Sequence, residues 1–291
     1  MLDGKTQILG VIGSPISHSL SPLMHNAALT ALGLNWIYLP LEIPITNLAH
    51  AYQGLKSIQN LQGFNLTIPH KQQIIDHLDQ ITPIAQAIGA VNTVKRTPQG
   101  WIGTNTDAPG FLIPLQSLQR DWHNTTVIIL GNGGAAKAVV AACLQLNCRK
   151  IHLIGRNPSH LNQFITQTPH PHLTPHPWSE LETLLPEATL LINTTPIGMA
   201  PNPDQTPLTP HQINQLPPQA IIYDLIYNPR PTLLLQQAQN RHLTTIDGLT
   251  MLIHQGALAL EFWLERPAPI AIMTKALTTH LDKLPDKPPE N

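Results

Sequence analysis

The chain has 291 residues and 42% hydrophobic content, enough for a substantial core in one large or two ordinary domains. Charged residues make up only 11%, and a net charge of −1 excludes the basic excess of a nucleic-acid footprint. No apolar run approaches the roughly 20 residues of a membrane span, and the polar start at Asp3 and Lys5 reads as no signal peptide, so a cytoplasmic protein is expected. The two cysteines, Cys143 and Cys148, read as small packing residues in a reducing compartment. The proline-rich tail Pro285 to Asn291 is expected to be disordered.

Ile8 to Gly13 reads as a buried strand, followed by a loop that delivers Ser19, Ser21 and Pro22. Ser21 is expected to cap a helix with Pro22 at its first position. Leu23, Ala27, Ala28, Ala31 and Leu32 line that helix, and Gly33 ends it. Trp36 to Leu41 is a second strand and Ile45 to Ile58 a weaker helix. From Gly63 to Ile68 the alternation predicts Asn65 and Thr67 on one face, opposite Phe64, Leu66 and Ile68. Pro69 then predicts a helix with the apolar stripe Ile74, Ile75 and Leu78, which puts Lys71 in its first turn, against the macrodipole.

A short helix, Thr82 to Ile88, precedes a hairpin of Ala90 to Val94 with Trp101 to Thr104. Asn105-Thr106-Asp107 leads into a helix from Pro109 to Leu118, for which Asp107 suits the N-cap.

The densest signal runs from Thr125 to Arg156. Val127 to Leu130 is short and β-branched, as in a buried parallel strand. Gly131-Asn132-Gly133-Gly134-Ala135-Ala136 follows, then a helical pattern from Lys137 to Leu146 and a strand from Ile151 to Ile154. Glycine at 131 permits a tight turn, glycine at 133 lets a ligand approach the backbone, and Ala136 takes the close-packing third position. The helix N-terminus beyond offers free N–H groups to a pyrophosphate. An NAD enzyme of this architecture carries an acidic residue about 20 positions past the glycine loop. Here Gly155 and Arg156 stand at that point, with no Asp or Glu until Glu180, which favours NADP.

Gln167 to Trp178, with His170, His172 and His176, reads as a surface loop rather than a metal site. Strands at Leu190 to Thr195, Ile221 to Leu225 and Leu243 to Ile246, with a helix from Pro231 to Asn240, complete a doubly wound α/β pattern. After Asp247 only helices are predicted, Leu249 to Leu264 and Ile270 to Leu281. In open α/β sheets ligands bind beyond the carboxyl ends of strands. Ser19, Thr67, Asn92, Asp107 and Asn193 all fall at or after such ends, and these hydroxyls and amides suit a small polyhydroxylated acid. A nicotinamide cofactor makes hydride transfer the natural reaction. Lys71 can then serve as acid and base if burial lowers its pKa from about 10.4.

These residues resemble the shikimate dehydrogenase family over nearly the whole chain. The resemblance rests on Pro15-Ile16-Ser17-His18-Ser19-Leu20-Ser21-Pro22, Asn65-Leu66-Thr67-Ile68-Pro69-His70-Lys71, Gly89-Ala90-Val91-Asn92-Thr93, Asn105-Thr106-Asp107 and Asp247-Gly248-Leu249-Thr250-Met251-Leu252, in that order. It implies reversible reduction of 3-dehydroshikimate to shikimate with NADPH, in the route to chorismate and the aromatic amino acids. It implies an N-terminal α/β substrate domain, residues 1–107 with 247–291, and a Rossmann-like cofactor domain, residues 108–246, with the terminal helices returning to the first and the active site in the cleft. Ser19 and Ser21, helped by Tyr227, would hold the substrate carboxylate. Thr67, Asn92, Asp107 and Gln255 would bind the ring hydroxyls, and Lys71 with Asp107 would form the catalytic pair. Gly131, Asn132, Gly133, Gly134 and Ala135 would cradle the pyrophosphate. Gly155, Arg156 and Asn157 would meet the 2′-phosphate, and Leu225 and Gly248 would lie near the nicotinamide. No metal, nucleic acid or membrane partner is implied, and a monomer or homodimer is expected. The chain departs from many members at His160, where they carry a second basic residue, and at Ala108, where glycine is common. The alternatives are a quinate/shikimate dehydrogenase using NAD and a non-catalytic NADP-binding regulator. The regulator would lack the Lys71 and Asp107 pair.

Overall fold

The computed structural model describes residues 2–283, so the proline-rich tail from Pro285 lies outside the described residues. The chain is α/β and divides into two compact units. One runs to Gly110 and resumes at Ile253; the other is Phe111–Leu252.

The first unit is built on strands β1 (Gln7–Gly13), β2 (Trp36–Glu42), β3 (Leu61–Leu66), β4 (Gln80–Ile81), β5 (Thr93–Thr97) and β6 (Gly100–Thr104). Their order across the sheet is β2-β1-β3-β5-β6-β4. β1 pairs in parallel with β2 and β3, whereas β5 is antiparallel to both β3 and β6. Helices α1 (Ser21–Ala31), α2 (Leu48–Ser57) and α3 (Pro83–Ile88) follow β1, β2 and β4. Ile12, Leu48, Tyr52, Phe64, Leu66, Ile74, Val91 and Trp101 form a core on one side of this sheet.

Three local expectations are corrected here. Ser21 is the first residue of α1 and not its cap; the cap position is Leu20, without a side-chain bond, and Ser19 Oγ instead accepts from Ser21 N at 3.3 Å. β3 ends at Leu66, so Ile68 does not share the core face of Phe64 and is 70% exposed. No α-helix follows Pro69. The chain makes turns over 68–72 and then a 3₁₀ segment, Gln73–His77, which still buries Ile74. Lys71 therefore stands two residues ahead of the helical segment and not in its first turn.

Helix α4 (Asp107–Gln116) contains the point where the chain passes from one unit to the other. The second unit has β7 (Thr126–Leu130), α5 (Gly134–Gln145), β8 (Lys150–Gly155), α6 (Pro158–Gln167), β9 (Leu173–Pro177), α7 (Leu181–Leu184), β10 (Leu190–Asn193), α8 (Pro210–Asn214), β11 (Ile221–Asp224), α9 (Leu233–Asn240) and β12 (Thr244–Ile246). The sheet is wholly parallel in the order β12-β11-β10-β7-β8-β9, so the winding reverses between β10 and β7. That is the doubly wound dinucleotide-binding topology, with its crevice beside β7. All five residues of β7 are buried, as a strand covered on both faces requires. Helix α5 begins three residues ahead of the predicted Lys137, at Gly134 itself. The segment expected to be a surface loop contains β9, an edge strand paired to β8. Its Pro175 and Pro177 are tolerable because an edge strand leaves one row of N–H groups unpaired.

Helix α10 (Gly248–Leu264) leads back into the first unit, and α11 (Ile270–Leu281) packs there against α1. Among the described residues no helix is long and apolar enough to cross a membrane.

Candidate active site

In the first unit the turns after β3 deliver Lys71. His70 anchors them: it is buried, and a ring nitrogen meets the Ile43 carbonyl at 2.7 Å. The Lys71 carbonyl accepts from Val91 N at 2.7 Å. With its backbone so fixed, Lys71 places Nζ 2.7 Å from Asp107 Oδ2. The two side chains are 16% and 8% exposed, which spares the pair most of the screening that weakens surface ion pairs.

Asp107 does not cap its own helix, contrary to the simplest reading of the sequence. Asn105 takes that work: its Oδ1 accepts from Asp107 N at 3.0 Å and from Ala108 N at 3.2 Å. The Asp107 carboxylate is thereby left for other partners. Oδ2 meets Lys71, and Oδ1 accepts from Asn92 Nδ2 at 2.8 Å. Asn92 Oδ1 in turn accepts from Thr106 N, Thr106 Oγ1 and Thr93 Oγ1 at 2.8, 3.2 and 3.0 Å. Gln255, on α10, approaches Asn92 Nδ2 with its Oε1 at 3.5 Å. Lys71, Asn92, Asp107 and Gln255 are thus gathered in one place. Tyr38, Thr93, Asn105 and Thr106 belong to the same network and carried no assigned role in the sequence. Asn105 was legible as a cap two residues ahead of a helix; a tyrosine in a strand signals nothing of the kind.

Thr67 follows β3 and is half-buried. A side chain at Gly13 would overlap its Cγ2, so the glycine is what lets Thr67 sit beside β1. Ser19 is half-buried and Ser21 buried, on either side of the start of α1.

In the second unit Gly131 has φ of +99°, and a Cβ there would lie 2.8 Å from Thr194 Oγ1, so glycine is required. A Cβ at Gly133 would meet nothing within 4 Å, which leaves the backbone open to a ligand. Asn132 Nδ2 is buried without a protein partner, a donor still to be satisfied. Together with Gly134 and Ala135 at the start of α5, these residues fit a dinucleotide pyrophosphate. Gly155 is packed against Leu161 and Asn132. Arg156 is exposed beyond it. Asn157 caps α6, accepting from Ser159 N at 2.9 Å and from His160 N at 3.3 Å, so its side-chain oxygen is already engaged.

Asn193 and Asp224 end β10 and β11. Asp224 accepts from Asn193 Nδ2, Ile226 N and Thr232 Oγ1 at 3.0, 3.2 and 2.7 Å. Among the described residues no cation contacts this carboxylate, and burial pushes its pKa up to about 6. The segment that it ties down carries Leu225 and the half-buried Tyr227, whose phenol pKa burial also raises. Gly248 packs so closely that any side chain would overlap the Leu225 carbonyl.

His170, His172 and His176 do not converge. His176 joins His152 at 3.0 Å and Glu180 at 2.7 Å. Among the described residues no group of three or more His, Cys, Asp or Glu side chains is arranged to hold a metal ion.

The chain matches the shikimate dehydrogenase substrate binding domain over residues 11–94. It matches the shikimate / quinate 5-dehydrogenase domain over 115–251 and the shikimate 5'-dehydrogenase C-terminal domain over 248–278. A shikimate dehydrogenase (NADP(+)) of Microcystis aeruginosa is 54% identical over 95% of this chain and 98% of its own. One of Thermosynechococcus vestitus is 53% identical over 96% of this chain and 98% of its own. The crystal structure of the Thermus thermophilus shikimate 5-dehydrogenase, in complex with NADP(H) and shikimate, is 34% identical with a TM-score of 0.82, covering 94% of this chain and 99% of that one. The chain belongs to the shikimate dehydrogenase family.

Proposed function

We infer that the protein catalyses the reversible, NADPH-dependent reduction of 3-dehydroshikimate to shikimate. The observation that carries this reading is the Lys71–Asp107 pair, 2.7 Å apart and braced by Asn92 beside Gln255. A nicotinamide cofactor supplies the hydride. What the chain itself supplies is the proton: Lys71 Nζ gives it to the oxygen that becomes the new hydroxyl and takes it back in the reverse direction. Asp107 holds the ammonium in place and, with Thr67, Asn92 and Gln255, binds the ring hydroxyls. Ser19 and Ser21, with Tyr227, bind the substrate carboxylate.

The substrate role belongs to residues 1–107 with 247–291, and the cofactor role to 108–246. Gly131, Asn132, Gly133, Gly134 and Ala135 receive the pyrophosphate; Gly155, Arg156 and Asn157 the 2′-phosphate side; Leu225 and Gly248 the nicotinamide. The protein acts in the cytoplasm, as a monomer or homodimer, and supplies the path to chorismate. Absorbance of reduced cofactor, with shikimate or quinate against NADP or NAD, tests the reading; no NADP reduction with shikimate would end it.

The carboxylate site has its own test. Ser19→Ala should raise KM for shikimate more than it lowers turnover, because the carboxylate is held equally in ground and transition states. A charge-assisted hydrogen bond is worth about 1.5–3 kcal/mol, so a rise of roughly ten- to a hundredfold is expected. Unchanged KM in the double replacement of Ser19 and Ser21 by Ala would move the substrate elsewhere.

A further inference from the structure

Strands β11 and β12 run parallel and end together, with Tyr223 beside Ile246. The next residue in each chain segment is an aspartate, so Asp224 and Asp247 stand at neighbouring strand ends. Asp224 is buried. Asp247 is paired: Arg230 Nε donates to its Oδ2 at 2.7 Å, and Arg230 Nη2 lies 2.6 Å from the same oxygen. The other oxygen, Oδ1, accepts from Leu249 N at 3.0 Å, which makes Asp247 the cap of α10. One carboxylate thus serves a helix with one oxygen and a loop with the other.

That loop runs from Leu225 to Thr232, between β11 and α9. Its base is closed by Thr232 Oγ1, which donates to Asp224 Oδ2 at 2.7 Å. Two further ties join it to the start of α10. Gly248 N donates to Ile226 O at 3.1 Å, and Asp247 receives Arg230. The ties use consecutive residues, 247 and 248, and grip the loop on either side of Tyr227. A loop held at one such point can turn about it; held at both, it keeps one pose. The Arg230 and Asp247 side chains are 34% and 21% exposed, so the pair adds little to overall stability. Its consequence is local. Removing Arg230 would free one tie and leave two carboxylates at adjacent strand ends, where like charges repel.

We propose that Arg230 is a positioning residue, which through Asp247 fixes the loop that presents Leu225 to the nicotinamide and Tyr227 to the substrate carboxylate. The inference rests on the roles given above to Leu225, Tyr227 and Gly248. Arg230 acts through Asp247 and not by touching either ligand. Its influence is confined to one end of the cofactor. Strands β10 and β7 stand between β11 and β8, the strand that ends at Arg156 and the 2′-phosphate.

The test titrates protein fluorescence with NADP and with adenosine 2′,5′-bisphosphate, which keeps the phosphate-bearing adenosine and lacks the nicotinamide. If the wild-type protein bound neither, the cofactor reading would fall and the proposal with it. With both bound, Arg230→Gln should weaken NADP by about three- to tenfold, between the worth of an exposed ion pair and that of a charged hydrogen bond. The bisphosphate should bind within about twofold of wild type, the tolerance expected of a distant site. KM for shikimate should rise by a factor similar to that for NADP, through Tyr227. Asp247→Asn removes the charge but keeps the cap, since asparagine caps a helix as well as aspartate. Combined with Arg230→Gln it should do no worse than the worse single variant, whereas independent positions would multiply their effects. If Arg230→Gln does not fold, Asp247→Asn alone breaks the same pair, and the same selective loss is expected. Equal weakening of both ligands, unchanged NADP affinity, or multiplied effects in the cycle would reduce Arg230 to a surface ion pair.

Discussion

Lys71→Ala is expected to cut kcat by about 10²–10⁴-fold, the range of general acid–base catalysis, or roughly 3–5.5 kcal/mol in the barrier. KM should change far less, because the interaction lost is one that grows as negative charge develops on the substrate oxygen. The structure adds a reason why no neighbour can substitute. Both carboxylate oxygens of Asp107 are engaged, accepting from Lys71 and Asn92, and Asn92 is itself fixed by Thr93 and Thr106. Asp107→Asn should also impair turnover, since it replaces the charge that orients Lys71 while keeping the shape. Steady-state kinetics in the direction of shikimate oxidation checks both. A Lys71→Ala variant with more than about a tenth of wild-type kcat would end the acid–base assignment.

Legibility in the sequence followed the range of the forces involved. The second unit was readable because its strands are short β-branched runs buried on both faces, and its crossovers are helices of ordinary period. The terminal helices, α10 and α11, lie almost where their apolar periodicity predicted them. What failed was local. Ser21 looked like a cap because serine before proline usually is one, yet α1 starts one residue earlier and Ser21 is its first residue. The stretch after Pro69 has a helical stripe, but turns and a 3₁₀ segment bury Ile74 equally well. Asp107 and Asn105 both had the chemistry of a cap. Only the tertiary position of Lys71 and Asn92 decides that Asn105 caps, leaving Asp107 to meet the lysine. The link from Tyr38 through Asn65 to Thr93 was invisible for the same reason: its residues stand on β2, β3 and β5, and no spacing in the chain encodes it.

Arg156→Ala should weaken NADP binding by roughly ten- to a hundredfold, the worth of one charge-assisted hydrogen bond to phosphate, about 1.5–3 kcal/mol. NAD binding should be nearly unaffected, since it has no phosphate at that position. The argument is one of position and charge. Arg156 stands just past the end of β8, the strand beside β7 in the doubly wound sheet, where an NAD enzyme would present a carboxylate to the ribose hydroxyls. Its planar fork suits a phosphate, and it is exposed, so it has no core to support. Its neighbours offer little help. The Asn157 side-chain oxygen is engaged in capping α6, and the next basic side chain, the exposed His160, lies one turn on and lacks the permanent charge of an arginine. Selectivity for NADP over NAD is therefore expected to rest largely on Arg156. Asn132, with its buried and unpartnered Nδ2 packed near Gly155, would serve both cofactors alike and should not discriminate between them. Titration of protein fluorescence with NADP and NAD, on wild-type and variant, reads the two affinities apart from turnover. Equal losses for both cofactors would show that Arg156 supports the fold and does not read the phosphate.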